Sequence, residues 1–300
     1  MNRRDVEFSG FDGLTLRGWL YPAGPNRPCI ILTHGFAGLK EQFLPDFAGH
    51  FQAAGYGAMV YDHRHYGSSD GTPRNHTDPI LQARDYSAAL DYVSLLPEVD
   101  PAKVIFWGSS LSGGVAIYAA SIDPRAQGVV VQCPFPSSES LVTDLKEPIR
   151  KAFADRAATT TTAGQEPAMI PASPYASTTP RAAKEAAMVA DPDIVAYYAE
   201  LDRRNIPRGS RVTMQSLLGI AGFEPKAFIG RISPRPLLMI LGALERTIPI
   251  DLQLRAFEEA GQPKQLHLIQ DQGHFGLYHS KGFKENIEIQ LRWLKEVVGV

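Results

Sequence analysis

A short glycine- and serine-rich stretch between a strand-like and a helix-like segment constrains the fold of this chain more than any other feature. The β-rich run at residues 104–107 ends at Gly108, and helix-compatible sequence begins again at Gly113. A turn this tight forces its central residue, Ser110, into a strained backbone conformation and leaves room only for small neighbours. It also places the serine hydroxyl at a helix N-terminus, where free N–H groups and the helix dipole face developing negative charge. The stretch therefore predicts an exposed, nucleophilic serine.

The segments on either side alternate between strand-like and helix-like patterns. Apolar and polar residues alternate around the turn at 11–13, which predicts an antiparallel hairpin with one wetted face. Further along, continuous apolar runs predict buried parallel strands, and amphipathic stretches between them predict helices. The predicted strands lie at 6–8, 14–21, 29–33, 56–61, 104–107, 128–133, 236–241 and 265–269, and the predicted helices at 44–54, 79–96, 113–120, 251–260 and 283–298. This order predicts an α/β fold with a mostly parallel, doubly wound sheet and right-handed crossovers.

The alternation stops between residues 134 and 230. No strong strand pattern occurs there, and residues 157–190 are rich in Ala, Thr, Pro and Ser, including four consecutive threonines at 159–162. A structureless linker of that length is unusual inside a compact domain. We therefore expect residues 1–133 and 231–300 to form the core domain, and residues 134–230 to form an inserted, mostly helical cap with one mobile stretch.

Composition and charge exclude several classes of partner. Hydrophobic residues make up 44% of the 300 residues, and the formal net charge is −2 with Lys and Arg scattered along the chain. No basic patch predicts binding to nucleic acid or to an anionic membrane, and a small neutral or weakly acidic substrate fits better. The N-terminal sequence has no apolar signal core and no run is long enough to span a bilayer, so we expect a cytoplasmic protein. Cys29 and Cys133 lie in apolar strand-like runs, which predicts buried free thiols.

The serine turn resembles the nucleophile elbow of the α/β-hydrolase superfamily, G-x-S-x-G, with Ser112 in place of the second glycine. Other motifs of that family follow in the expected order along the chain. The stretches THGFAGLKE, YDHRHYGSSDG, WGSSLSGG and DQGHF are similar to a branch that includes bacterial hydrolases and fungal polyketide-processing esterases and acyl or polyketide transferases. The resemblance covers nearly all of the predicted core and implies an α/β-hydrolase fold with a helical cap.

The same resemblance implies a catalytic triad. In this family an acid and then a histidine follow the nucleophilic serine, here Ser110, along the chain. His274 lies in a polar, glycine-rich loop directly after the last predicted strand, where the family places the general base. Glu245 follows the preceding predicted strand, at the position of the acid. Asp251 and Asp271 are the alternatives, although Asp251 is expected to cap the following helix and Asp271 to shape the histidine loop.

The resemblance also implies an oxyanion hole formed by two backbone N–H groups. One belongs to Leu111, directly after the predicted nucleophile, and the other to Phe36 in the family's HG-x loop. Removal of one such donor typically lowers the rate by about 10²–10³-fold, so the geometry of the loop matters more than its side chains. We expect His34 to brace this loop rather than to contact substrate.

Two histidines and neighbouring carboxylates after the strand at 56–61 raise the question of a metal site. On an extended segment His63 and His65 would share one face. Their spacing matches no metal-binding motif, and the resemblance implies that the D-x-R-x-x-G-x-S loop at 62–69 is structural and held by a buried Asp/Arg network. We therefore predict no metal ion and no other cofactor.

Together these features predict a serine hydrolase that forms an acyl-enzyme on Ser110 from a carboxylic ester or thioester. The first alternative is transfer of an acyl or polyketide group, or closure of a lactone, by the same triad. The second is a C–C bond hydrolase, lyase or cyclase on this fold, and the third is a non-catalytic ligand-binding protein. A bulky apolar acyl group fits the apolar and aromatic residues of the predicted cap, although packing accounts for most of them: Phe135, Phe153, Met169, Tyr175, Met188, Tyr197, Tyr198, Met214 and Phe223. The predicted partner is a small molecule, and the oligomeric state stays open, a homodimer included.

Overall fold

The structure, a computed structural model, describes residues 2–139, 141, 145–162, 164–173, 189, 191–209 and 211–299. Its described residues form ten strands and eight α-helices. The strands are β1 (Arg4–Ser9), β2 (Thr15–Tyr21), β3 (Arg27–Thr33), β4 (Gly57–Tyr61), β5 (Val99–Ser109), β6 (Gly128–Gln132), β7 (Met169–Pro171), β8 (Arg211–Thr213), β9 (Leu237–Gly242) and β10 (Lys264–Ile269). The helices are α1 (Leu44–Ala53), α2 (Pro79–Ser94), α3 (Leu111–Ile122), α4 (Lys146–Thr161), α5 (Ile194–Arg203), α6 (Ser216–Ala221), α7 (Ile250–Glu259) and α8 (Ser280–Val297).

Eight of the strands form one sheet in the order β1-β2-β4-β3-β5-β6-β9-β10. The hairpin β1-β2 is antiparallel, β2 pairs antiparallel with β4, and the six remaining strands are parallel to one another. The parallel strands β3, β4, β6 and β9 are almost entirely buried, as their continuous apolar sequences require. The predicted α/β fold class is thus confirmed, and each core strand and helix lies within a few residues of its predicted position.

Helices cover both faces of this sheet. On one face, α2, α3 and α7 pack through small and branched side chains such as Ala89, Val115 and Ala256. On the other face, α1 and α8 pack through large side chains such as Phe47 and Trp293. Because the carboxyl ends of the parallel strands meet at one edge of the sheet, the loops after β3, β5, β9 and β10 are brought together there.

The segment between β6 and β9 contains α4, α5, α6, a 3₁₀-helix at Pro225–Ile232 and a small second sheet. In that sheet β7 pairs antiparallel with β8, with Met169 opposite Thr213. The sequence did not predict these strands, because three residues are too few to establish an alternating pattern. Tyr175, Met188 and much of the stretch predicted to be mobile lie outside the described residues. The division into a core domain and a cap therefore stays a prediction.

None of the helices among the described residues combines the length and the apolar character that crossing a lipid bilayer requires.

Candidate active site

Ser110 lies at the junction of β5 and α3 in a strained backbone conformation, with φ 57° and ψ −127°. Backbone hydrogen bonds to β6 and to the segment that follows it help to hold it there: its N–H donates to the Gln132 carbonyl at 2.9 Å, and its own carbonyl accepts from the Phe135 N–H at 2.8 Å. No hydrogen bond to Ser110 Oγ is present among the described residues. The strained turn thus presents an unengaged hydroxyl at the N-terminus of α3, as the sequence predicts.

Two glycines allow the close approach of the chain segments around this serine. A Cβ at Gly108 would lie 2.1 Å from the Ser112 carbonyl oxygen, which leaves no space for a side chain inside the turn. A Cβ at Gly35 would lie 2.7 Å from Ser110 Cβ, so the loop after β3 packs directly against Ser110. This contact brings the backbone of Phe36 to the same cavity as Ser110.

Ser112, which replaces the second glycine of the family motif, has a role beyond its small size. Its side chain is 1% exposed, and its Oγ hydrogen-bonds to Thr33 Oγ1, to the Tyr86 hydroxyl at 3.2 Å and to His63 Nε2 at 3.2 Å. Tyr86 in turn donates to the Trp107 carbonyl at 2.6 Å. The hydroxyl therefore ties the elbow to β3, to α2 and to the loop after β4.

His274 and Glu245 form a buried pair. His274 Nδ1 and Glu245 Oε2 are 2.7 Å apart, and the two side chains are almost fully excluded from solvent. Glu245 Oε1 accepts hydrogen bonds from the backbone N–H groups of Thr247 at 2.8 Å and Ile248 at 3.1 Å. Burial by itself would raise the pKa of Glu245, but the imidazole and these hydrogen bonds hold it below its usual value. The carboxylate is therefore charged at neutral pH and favours the imidazole tautomer that carries its proton on Nδ1.

Ser110 and His274 line the same cleft, together with Thr247 of the acid loop. The cleft contains about 530 Å³ of empty space. Among the described residues, neither the Phe36 N–H nor the Leu111 N–H donates a hydrogen bond to the backbone, and both residues border the space in front of Ser110. The structure thus brings all five predicted site residues to one place.

The acid and histidine loops are held by two aspartates that the sequence did not single out. Asp191 Oδ2 accepts a hydrogen bond from Thr247 Oγ1 at 2.8 Å, and Asp193 Oδ2 accepts one from the Phe275 N–H at 3.0 Å. Thr247 follows the acid by two residues, and Phe275 follows the histidine directly. The chain just before α5 therefore bridges the two loops that carry the predicted acid and base.

His34 connects the loop after β3 to α5. The Tyr197 hydroxyl donates to Gln42 Oε1 at 3.0 Å, so His34 Nε2, 2.9 Å away, donates its proton to that hydroxyl. The imidazole also stacks on the Tyr278 ring at a centroid distance of 5.2 Å. Burial lowers the pKa of His34 to about 3, which keeps the ring neutral. These contacts fit the predicted bracing role of His34.

One group of three potential metal-ligand atoms occurs in the described part of the chain. Cys133 Sγ and atoms of Glu245 and His274 all lie within 4.8 Å of one another. The thiol hydrogen-bonds to Glu245, and burial raises the pKa of Cys133 well above its usual value. Because a metal requires the thiolate, this arrangement suits orientation of the carboxylate better than it suits an ion. Cys29 and Cys133 are both buried and free, as predicted.

The predicted Asp/Arg network around the loop after β4 exists with different partners. Arg64 pairs with Asp85 Oδ2 at 2.7 Å and with the more exposed Asp12 at 2.9 Å. Asp62, which the motif suggested as part of this network, pairs instead with Lys40 Nζ at 2.6 Å. Arg64 therefore anchors the N-terminal hairpin and α2, and Asp62 anchors the loop after β3.

His63 and His65 do not share a face. They lie in a turn rather than an extended segment, and His65 has a φ of 71°. His63 Nε2 faces Ser112 Oγ, whereas His65 Nδ1 faces the Pro73 carbonyl at 2.9 Å. The two imidazoles therefore point to different partners and do not converge on one ion.

The two alternative acids lie elsewhere. Asp251 is the second residue of α7, with an exposed side chain that pairs with Arg255 at 3.3 Å, so the prediction that it caps the helix is wrong: Pro249 occupies that position. Asp271 begins the histidine loop with a φ of 60°, a left-handed conformation that aspartate tolerates in turns. Neither carboxylate is hydrogen-bonded to His274 among the described contacts.

Comparison with known proteins gives one consistent family. Residues 28–280 match the family model of the alpha/beta hydrolase fold. A thiohydrolase of Eupenicillium brefeldianum is 33% identical to this chain, over 98% of the chain and 94% of its own length. A polyketide transferase of Stachybotrys chlorohalonatus is 30% identical, over 99% and 98%. The crystal structure of an alpha/beta hydrolase from Penicillium sp. sh18 is 30% identical, covers 100% of both chains and superposes with a TM-score of 0.86. This chain belongs to the α/β-hydrolase fold family.

Proposed function

We propose that this enzyme is a serine hydrolase that cleaves carboxylic esters or thioesters with an apolar acyl group through a covalent acyl-enzyme on Ser110. The observation that carries the proposal is the buried Glu245–His274 hydrogen bond at 2.7 Å beside a cleft that Ser110 also lines. A base held by an ionised carboxylate and an unengaged serine at a helix N-terminus are the parts that acyl transfer requires.

The mechanism uses these groups in two steps. His274 Nε2 takes the proton of Ser110 as Oγ attacks the carbonyl carbon, and the backbone N–H groups of Phe36 and Leu111 receive the resulting oxyanion. Glu245 stabilises the imidazolium through Nδ1–H. The imidazolium then gives its proton to the departing alcohol or thiol, and the acyl group stays on Oγ. In the second step His274 deprotonates water as it attacks the acyl-enzyme, and the imidazolium then returns this proton to Ser110 Oγ as the carbon–Oγ bond breaks and the carboxylic acid leaves.

Transfer of the acyl group to an alcohol is the second candidate, and one observation favours it. His274 is 1% exposed and lies edge to face against the Phe275 ring at 4.9 Å, inside a cleft with several aromatic walls. An acceptor must enter this confined space to reach Nε2, so an organic alcohol that fills the cleft would compete with water. The relatives named thiohydrolase and polyketide transferase are compatible with both outcomes.

The test is steady-state turnover of acyl thioesters of N-acetylcysteamine and of p-nitrophenyl esters by the wild type and by Ser110→Ala. We expect Ser110→Ala to lose at least about 10³-fold in kcat, because a triad without its nucleophile retains only binding and oxyanion stabilisation. Ser121→Ala, which changes a serine at the far end of α3, is the matched control and retains the wild-type rate. Equal rates for wild type and Ser110→Ala would reject the acyl-enzyme and favour a lyase or cyclase.

Acceptor use is measured on the same wild-type protein. The ratio of ester to free acid is determined while the concentration of an added alcohol is varied. A saturable rise in the ester fraction identifies a transferase, and a fraction that follows the bulk alcohol-to-water ratio identifies a hydrolase.

A further inference from the structure

Two cavities with largely different linings meet at Ser110. The first is the cleft that contains His274, called here the histidine-side cavity. The second, called here the apolar cavity, has about 520 Å³ of empty space and does not include His274. Phe36, Ser110, Val189 and Thr247 border both cavities.

The position of His274 decides which part of a substrate each cavity receives. The imidazole must reach the oxygen or sulfur of the leaving group in the first step and the hydroxyl of the acceptor in the second. Both groups therefore occupy the histidine-side cavity. The oxyanion points to the Phe36 and Leu111 N–H groups, and Oγ of Ser110 occupies one corner of the tetrahedral carbon. The fourth substituent, the acyl chain, is then directed into the apolar cavity.

The chemistry of the apolar cavity suits this occupant. Apart from Ser110 and Thr247, its described lining is apolar, and the side chains that face it include Leu111, Phe135, Leu141, Ile220, Ile248 and Pro249. None of its described lining residues is charged. Each methylene of a hydrocarbon chain that is buried there makes binding more favourable. A polar or charged group would instead lose its hydration without finding a hydrogen-bond partner.

The histidine-side cavity has different walls. Tyrosine and histidine rings line it, but the Tyr197 hydroxyl is already engaged by His34 and Gln42. The described residues around it include no lysine or arginine. This cavity therefore suits a neutral alcohol with an apolar or aromatic face, or the uncharged end of a thiol arm.

We propose that the apolar cavity is the acyl-chain site, with Ile220 of α6 among the residues that limit chain length, and that the histidine-side cavity receives the leaving group and then a neutral alcohol acceptor. This assignment rests on the proposed function, because it divides the substrate of that same acyl-enzyme between the two cavities that border Ser110.

The experiment measures kcat/KM for straight-chain p-nitrophenyl esters from acetate to dodecanoate. For the wild type we expect a rise of about fourfold for each methylene until the cavity is filled, which corresponds to the burial of one CH₂. Ile220→Trp fills part of the apolar cavity, so its rise stops at a shorter chain. We then consider an ester that is three methylenes longer than the chain length at which the rise stops in Ile220→Trp. The ratio of its kcat/KM to that of p-nitrophenyl acetate is expected to be about 60-fold lower in Ile220→Trp than in the wild type. Ile122→Trp, the same substitution at a half-exposed position at the end of α3, leaves the profile unchanged.

The reciprocal variant is Tyr198→Ala, which enlarges the histidine-side cavity. We expect it to change the ratio of ester to acid formed with a series of alcohols, and to leave the chain-length profile as in the wild type. A profile that responds to Tyr198→Ala but not to Ile220→Trp would reverse the assignment, and a profile that responds to neither would overturn it.

Two controls separate this proposal from the proposed function. One fluorophosphonate adduct per chain in Ile220→Trp, Ile122→Trp and Tyr198→Ala shows that the fold and the serine site of these variants are intact. If Ser110→Ala hydrolysed p-nitrophenyl acetate as fast as the wild type, the proposed acyl-enzyme on Ser110 would be rejected. If only the chain-length profile failed to respond, the acyl-enzyme would stand and the assignment of the two cavities would fall.

Discussion

Replacement of Glu245 by glutamine exchanges one carboxylate oxygen for an NH₂ group, and the surroundings decide which one. Oε1 accepts from the backbone N–H groups of Thr247 at 2.8 Å and Ile248 at 3.1 Å, whereas Oε2 faces His274 Nδ1 at 2.7 Å. The two backbone donors require an acceptor, so the glutamine carbonyl takes the position of Oε1. Its NH₂ group must then face the imidazole.

That donor forces the imidazole of His274 into the wrong tautomer. Nδ1 has to accept from the amide, so the ring proton moves to Nε2, the atom that must be unprotonated to receive the proton of Ser110. The corresponding change of acid to amide in a serine protease triad lowers kcat by about 10⁴-fold. We expect a loss of the same order for Glu245→Gln, because the geometry leaves the amide no alternative orientation.

The assay follows fluorophosphonate labelling by intact mass and thioester hydrolysis in parallel. Glu258→Gln, the same exchange at an exposed position of α7, is the matched control and keeps the wild-type rates. Thermal unfolding is measured for each variant, since glutamine keeps both backbone hydrogen bonds and a folded protein is expected. A folded Glu245→Gln that labels within tenfold of the wild type would refute the role assigned to the carboxylate.

Three further predictions concern the support of the site. Ser112→Gly restores the family motif but leaves His63 Nε2 without a partner in a buried position, so urea unfolding is expected to show a loss of about 1–3 kcal/mol; an unchanged stability would contradict this. Asp193→Ala removes the acceptor of the Phe275 N–H beside His274, so kcat is expected to fall by a larger factor than KM changes. Steady-state kinetics of Asp193→Asn, which keeps an acceptor oxygen, is the check, and its kcat is expected to recover. Burial lowers the pKa of His34 and of His63 to about 3, so the unfolded chain binds protons below pH 6.5 that the folded chain does not, and stability falls as the pH falls from 6.5 towards 3. At about pH 5 the loss of unfolding free energy is about 2 kcal/mol for each histidine relative to neutral pH. Urea unfolding of His63→Gln should show a smaller loss between neutral pH and pH 5 than the wild type. An equal loss in that variant would contradict the role given to His63.

The sequence predicted the parts of the fold that depend on local pattern. Buried parallel strands such as β3 and β6 are continuous apolar runs, and the turn at Ser110 requires small residues at fixed neighbouring positions, so both are visible in a few consecutive residues. The loops that carry Glu245 and His274 follow strands that the same patterns identify. Their approach to one another then follows from the parallel sheet, whose carboxyl ends lie at one edge.

The contacts that support the site could not be predicted in this way, because their partners are far apart in the sequence. Asp193 and Phe275 are separated by 82 residues, and Tyr197 and His34 by 163. Neither pair belongs to a motif with a fixed spacing. An Asp-Pro-Asp sequence before a helix indicates a turn, but only the contacts of α5 with the loops around the site determine which loop its carboxylates reach.

The role of Ser112 illustrates the same limit. The sequence shows that a serine replaces the family's glycine, but its partners Thr33, Tyr86 and His63 come from three other segments. Glycine and serine are both small enough for the geometry of the turn. The hydrogen bonds explain why a serine is compatible with this particular core.

The most direct test of the acyl-enzyme is to trap it. The wild type is mixed with an acyl thioester, quenched in acid within milliseconds to seconds, and analysed by intact mass and peptide mapping, with Ser110→Ala in parallel. The account predicts a mass increase of one acyl group on the peptide that contains Ser110, absent from Ser110→Ala. An acyl group on another residue, or turnover by Ser110→Ala at the wild-type rate, would contradict it.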